Sequence, residues 1–462
     1  MAQTVSSTLT GVAKQKKIES KEVLSYFSYG MGQCISFGLI GTFIMYFYTD
    51  ILGISSLAAS TIFVIARTFD AANDPLMASI MDTKQSKHGK FRQYLLYMPI
   101  LIFLITIIAF LPLNLGSTAA VIFAGATYIL WGVFYTLSDV PFWSMSAVMS
   151  QNPQERTKLV TYANLGVFVG IGIPTLLFTP LAEFLGGGSL NDGFFMAVVI
   201  LSTLSLPFMF VGFKNTKERV KPSTKKVRIR DAVKVIKGNK PMFIVLATFF
   251  CNVFVNITLT LNIFFFTWNM NNASLMAAFG VISLVSCVGF FFIPMLTKHF
   301  FKKHILMAIL VLDIIVRIVF FMSGYGSTMV VLSFMTVTMV LYTATGPLIS
   351  AMLAETIELT EVRTGQRSEA VTFSGQTFTG KLSVAIAGGA TGVILTVINY
   401  VPNQPQTEGT LTGLFFVIAL LPALGSLIRL ALMYFYKFTE VEFREAVQEL
   451  QRRKDSSAEV EA

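Results

Sequence analysis

The sequence predicts an all-α membrane protein of twelve transmembrane helices in two six-helix bundles. Three observations carry this: a scarcity of charge, the length of the uncharged runs, and the way basic residues alternate between successive gaps. Of 462 residues, 54% are apolar and only 13% charged, whereas a soluble domain carries roughly 25% charged residues. The mean hydropathy is +0.68. Between Arg92 and Glu155 the one charged side chain is Asp139, and residues 241–297 contain none. Each stretch accommodates two apolar spans of about 20 residues apiece. Lipid offers no hydrogen-bond partners, so a spanning backbone must be helix or closed barrel. The runs are continuously apolar rather than alternating, which selects helices.

Spans are expected at 23–48, 56–81, 93–112, 118–145, 157–183, 192–213, 242–268, 274–297, 304–323, 328–353, 370–398 and 411–436. The even-numbered gaps and the two ends hold 31 of the 35 Lys and Arg residues, and the odd-numbered gaps hold none. By the positive-inside rule both termini are cytoplasmic, in a multi-pass membrane protein. The polar first 22 residues lack an apolar segment ending in a cleavage site, so no cleaved signal is expected. The longest basic gap, 214–241, separates the bundles 23–213 and 242–436, and a cytoplasmic tail occupies 437–462. Basic loops of this kind attract anionic lipid. The net charge of +10 is spread along one membrane face, and no nucleic-acid partner is expected.

The gap after span 2, with Lys84, Lys87, Lys90 and Arg92, is echoed after span 8 by Lys298, Lys302 and Lys303, as duplicated halves would leave behind. Small residues at Gly166, Gly170 and Gly172 and at Gly388, Gly389 and Gly392 predict close helix packing. Cys34, Cys251 and Cys287 fall inside apolar spans without metal-ligand spacing and read as packing residues.

Charge inside a membrane costs roughly 2.5–3.5 kcal/mol per group on insertion scales, so each instance needs a partner or a task. Span 2 reads Arg67-Thr-Phe-Asp70-Ala-Ala-Asn73-Asp74-Pro75, with Asp70 and Asp74 one turn apart on one face. Two such carboxylates repel unless a cation or proton sits between them. Pro75 frees the Ala71 carbonyl, which adds a further oxygen. The competing reading is a structural Arg67–Asp70 pair.

Span 4 carries Trp131, Tyr135, Thr136, Asp139, Pro141 and Trp143. A carboxylate beside an indole suits a sugar, whose hydroxyls donate to the acid while its C–H face stacks on the ring. Taken alone, Trp143 also fits an interfacial anchor. Lys381 lies ~16 Å deep in span 11, level with Asp70, Asp74 and Asp139 at roughly 10–17 Å. Asp313 and Arg317, one turn apart, are expected to neutralise each other, and Arg429 to snorkel to the cytoplasmic side. His88, His299 and His304 all fall at cytoplasmic gaps, so no intramembrane histidine relay is expected. No nucleophile motif suggests an enzyme.

These motifs resemble the glycoside-pentoside-hexuronide:cation symporter family, part of the major facilitator superfamily. The likeness runs along nearly the whole chain: Phe47-Tyr-Thr-Asp50, the Arg67–Pro75 segment, His88-Gly-Lys90-Phe-Arg92, Tyr128 to Trp131, Asp139 to Trp143, Gln154-Glu-Arg156, Glu355 to Glu369, and Gln376-Thr377 with Lys381. The resemblance implies a major facilitator fold with alternating access. It implies a cation site at Asp70, Asn73, Asp74 and Thr136 and a sugar site at Asp139, Trp143 and Trp131, with Lys381 between them. Tyr135, Gln33, Asn164, Gln376 and Thr377 complete the candidate substrate site. Glu355, Glu358, Arg363 and Arg367 match a charged segment that closes the cytoplasmic gate. Three departures leave specificity open. Span 1 is shorter around Gly32-Gln33-Cys34, where relatives place an acid. Asn164 replaces an arginine of melibiose-type carriers, and Gly346 a tryptophan.

The expected function is import of a glycoside or other small sugar coupled to Na+ or H+, by a monomer needing no cofactor besides the coupling cation. The alternatives are an uncoupled sugar facilitator and a membrane ligand sensor.

Overall fold

A computed structural model describes residues 18–66, 69, 89–150, 153–219, 239–364 and 369–438, with 442, 443, 445, 446, 448–450 and 452. The described chain is helical, and ten helices are long and apolar enough to cross a membrane. In chain order the helices are α1 (Ser20–Tyr46), α2 (Ser56–Ala66), α3 (Arg92–Ala109), α4 (Ser117–Met149), α5 (Pro153–Leu185) and α6 (Leu190–Asn215). After the basic gap come α7 (Lys240–Phe250), α8 (Asn252–Phe264), α9 (Leu275–Val285), α10 (Gly289–Leu296), α11 (Lys302–Ser323), α12 (Thr328–Thr364), α13 (Glu369–Val397) and α14 (Glu408–Phe435). Asn239 caps α7 by accepting from the Met242 amide at 3.1 Å, and Pro241 occupies the first turn. A missing N–H costs nothing there.

Two expected spans are not single helices. Span 7 is interrupted at Cys251 between α7 and α8, and span 8 by a 3-10 stretch, Ser286–Val288, between α9 and α10. Thr343 of α12 donates to the Ser286 carbonyl at 2.6 Å and so satisfies a backbone group that the break would orphan. Span 10 is longer than expected. The charged stretch read as a gap, Glu355 to Arg363, forms the last turns of α12, because Ala-Glu-Thr-Ile-Glu-Leu continues a helix as readily as the apolar part before it.

The first span of each half ends alike. α1 runs into a π turn, Phe47–Ile51, and α8 into another, Phe265–Asn269. Leu52 donates to Phe47 and Ile54 to Tyr48; Met270 donates to Phe265 and Asn272 to Phe266, the same offsets in both. π turns are rare and concentrate at functional sites.

α1 packs on α5 and α6, and α3 on α4 and α6, while α11 packs on α12 and α14, and α8 on α13 and α14. The glycine clusters pack as expected. A Cβ on Gly166 would lie 2.3 Å from the Phe27 carbonyl, and one on Gly392 2.3 Å from that of Ser56. Gly392 therefore lets α13 of the second half close on the start of α2 in the first. Leu57, Ile122, Phe184, Met322 and Met329 are exposed, as lipid-facing positions should be.

Candidate functional site

Three side chains converge where α1 crosses α4. Gln33, fully buried on α1, donates from Nε2 to Asp139 Oδ1 at 2.8 Å, and Trp143 Nε1 donates to the same oxygen at 3.1 Å. The Gln33 orientation is fixed from its other end: Oε1 accepts from Ser138 Oγ at 2.9 Å, and Tyr29 and Ser138 share a hydrogen bond of 2.7 Å. Asp139 is thus a half-buried carboxylate held by an amide and an indole, and Trp143 serves it rather than a membrane interface. Gln33 stands where span 1 departs from the family pattern.

Tyr135 lies one turn before Asp139, its ring stacked on Trp131 at 4.9 Å and its hydroxyl 3.7 Å from Cys34 Sγ. Trp131 lies one turn before Tyr135. It is 3% exposed, and its indole N–H is committed to Ser36 Oγ at 3.0 Å. Thr136 is buried on the same helix. Asp70, Asn73 and Asp74, with Arg67, lie outside the described residues.

The remaining candidates are spread over other helices. Asn164 is exposed on α5 and donates to its own helix, at the Val160 carbonyl, 2.8 Å away. Gln376 joins α13 to α12 by donating to Ser350 Oγ at 2.9 Å. Lys381 is exposed on α13, and the Thr377 side chain lies outside those described. Of the candidate gate residues, Glu355 pairs with Lys302 at 2.6 Å, Glu358 is half-buried on α12, and Arg363 borders a pocket with Lys240 and Glu442. Arg367 lies outside the described residues.

A cavity of about 380 Å³ lies between the halves. Thr42, Gly172 and Thr175 line one side, and Asn252, Ser283, Tyr342, Thr345 and Gly346 the other. Asp139 is not among its lining residues. Gly346 keeps the space open, since a Cβ there would find no atom nearer than Phe290 at 3.9 Å.

Two charge expectations resolve differently. Asp313 and Arg317 form the expected pair: Arg317 Nε reaches both carboxylate oxygens, at 2.9 and 3.0 Å, and Ser426 adds a third bond at 2.6 Å. Arg429 does not snorkel. It is 3% exposed and donates to Asn252 Oδ1, because α14 turns this face onto α8 and α11 rather than outward.

Sequence reading missed a polar seam at the end of the molecule away from the termini. Asp50, in the π turn after α1, accepts from the Tyr400 hydroxyl at 2.6 Å, from Thr49 at 2.7 Å and from the Asn403 amide at 3.3 Å. Asn403 also bonds the Asp50 carbonyl and accepts from Asn191 at 3.1 Å. Trp268, in the π turn after α8, donates to Tyr400 at 2.7 Å. Ser274 bonds Glu183, and Ser60 bonds the Gly389 carbonyl. These bonds join the two halves towards this end. Asp50 belonged to a family motif, but nothing in its spacing showed that it reaches the loop after α13.

A polytopic helical bundle of two packed halves, with polar side chains gathered between them, has the architecture of a membrane transporter. The chain belongs to the MFS/sugar transport protein family, whose model matches residues 25–440. It is similar to an isoprimeverose transporter of Lactiplantibacillus pentosus, 30% identical over 90% of this chain and 89% of that protein. A putative sulfoquinovose importer of Salmonella typhimurium is also 30% identical, over 92% of this chain and 91% of that one. Among solved structures, a D-xylose-proton symporter shares the fold with a TM-score of 0.63 at 15% identity, over 88% of this chain and 96% of the other.

Proposed function

We propose that this chain is a cation-coupled symporter that imports a glycoside or other small sugar, driven by sodium or a proton. The observation that carries the reading is the carboxylate of Asp139, held between Gln33 and Trp143 on two crossing helices. An acid, an amide and an indole at one point match the hydroxyls and the C–H face of a pyranose. The relatives named for isoprimeverose and sulfoquinovose support a sugar-like cargo.

In this reading twelve helices form two six-helix bundles, active as a monomer in a bacterial inner membrane. Basic residues gather at the end that carries the termini, which supports cytoplasmic termini. The Asp50–Tyr400 seam then faces outside and shuts the outer entrance. Asp70, Asn73, Asp74 and Thr136 hold the cation, which raises the affinity for sugar at Asp139, and sugar tightens cation binding by the same factor. The loaded carrier then exchanges one closed end for the other.

The test is sugar counterflow and downhill uptake in vesicles carrying Asp70→Asn or Asp74→Asn. Loss of the cation dependence with retained counterflow is expected. Cation dependence unchanged in both variants would defeat the coupling assignment.

A further inference from the structure

Behind the cavity wall opposite α5 lie two guanidiniums that the acid beside them, Asp313, does not balance one for one. Asp313, Arg317 and Arg429 line one small recess, together with Tyr342 and Thr345. The Asp313 carboxylate is taken by Arg317 and Ser426, so two guanidiniums share one acid. Arg429 Nε is buried and without a hydrogen-bond partner. An unbalanced guanidinium inside a bilayer is costly, and such groups mark sites of function.

Asn252 connects this charge to the cavity. It is the first residue of α8, after the interruption of span 7 at Cys251, and it lines the cavity. A guanidinium only donates. The Asn252 oxygen therefore faces Arg429, as observed, and the NH2 group is left for the other side. Tyr342 and Thr345 border both the recess and the cavity, so the charge lies one side chain behind the open space.

Resting on the sugar-carrier reading, we propose that Asn252, held by Arg429, is a substrate-contacting subsite for an anionic oxygen group carried by the sugar, a carboxylate or a sulfonate. Asn252 supplies the N–H donors. Arg429 is a positioning residue that fixes the amide and lends its field to the cavity wall. A neutral sugar would leave this charge unanswered, whereas an acidic one brings its own counter-charge.

The experiment is calorimetric titration of the purified full chain in lipid nanodiscs with matched pairs: methyl glucoside against methyl glucuronide, and methyl galactoside against methyl galacturonide. For at least one pair the acid should bind about tenfold tighter or more, as a charge-assisted contact warrants. Asn252→Asp answers Arg429 with an internal acid and removes the amide donors while preserving the packing. It should erase the preference, lowering the affinity for the acid more than that for the neutral member. Arg429→Met should erase it as well, and Arg429→Lys should keep part of it. Equal or tighter binding of the neutral members by the natural chain would overturn the subsite and leave the sugar-carrier reading intact. So would variants that weaken both members equally, which is the mark of a purely structural role. Binding of no sugar in either pair would overturn both.

Discussion

The Tyr400 hydroxyl donates to the Asp50 carboxylate at 2.6 Å, although 350 residues separate them along the chain. This bond crosses from the π turn that ends the first helix to the loop before the last one. It ties the two halves at one end, so it weights one arrangement of the carrier against the other. A hydrogen bond to a charged group contributes about 1.5–3 kcal/mol. Tyr400→Phe should therefore shift the equilibrium towards the state open at that end by about tenfold or more. Spin labels on Phe184 and Asn272, exposed residues near that end in the two halves, should report a longer distance distribution by pulsed electron resonance. An unchanged distribution would show that the seam is incidental.

Asp139 gathers Gln33 and Trp143 on one oxygen. Asp139→Asn keeps the shape but removes the charge that sugar hydroxyls would donate to. Sugar binding should fall by about tenfold to a hundredfold, since bonds to charged groups are worth about 1.5–3 kcal/mol each. Thermal stability should change little. Titration calorimetry alongside a melting curve separates the two effects.

Glu218, just after α6, accepts from the backbone amides of Lys90, Phe91 and Arg92 at 3.0, 2.7 and 2.8 Å. It is an anion seated on the N-terminus of α3, where unpaired amides and the helix dipole both favour it. Gly89 has φ +108°, and a Cβ there would come within 2.7 Å of the Glu218 carboxylate, so the glycine is needed both for its backbone angle and for space. Glu218→Ala should cost about 1–3 kcal/mol through the amides left unsatisfied. Gly89→Ala should destabilise as well. Melting temperatures in detergent measure both, and Glu218→Gln should recover part of the loss.

Asp313 and Arg317 form a buried pair beneath α14. Removing one partner strands the other, so Asp313→Asn should destabilise by about 3–5 kcal/mol. Replacing the pair together by apolar residues of similar size should be far milder. A double-mutant cycle on chemical unfolding midpoints tests this, and additive single effects would argue against direct coupling.

Much of the architecture was legible because a bilayer leaves few options. An uncharged run such as 241–297 has no other stable form, and the expected ends of spans 3, 6, 9 and 11 fall within a few residues of α3, α6, α11 and α13. Asp139 with Trp143 was legible from helical spacing. Contacts between distant segments were not. Gln33 to Asp139 and Asp50 to Tyr400 depend on how helices pack, which no periodicity within one helix encodes. The breaks at Cys251 and Ser286 were hidden as well, because neither place contains proline or a charge. A signal for the π turns was present in the parallel Phe47-Tyr-Thr and Phe265-Phe-Thr, each closing the first span of its half. Arg429 misled because a long cation near a helix end reads as surface-seeking until its partner on another helix is known.

The chain has three cysteines, and their places follow from the helix interruptions and the polar crossing. Cys34 touches the Tyr135 hydroxyl, Cys251 sits at the break before Asn252, and Cys287 lies within the 3-10 stretch. The natural chain thus carries its own reporters on both sides of the transport path. Alkylation rates of the three sulfurs, resolved by peptide mass spectrometry, would follow wetting of each wall through a transport cycle without any engineered label.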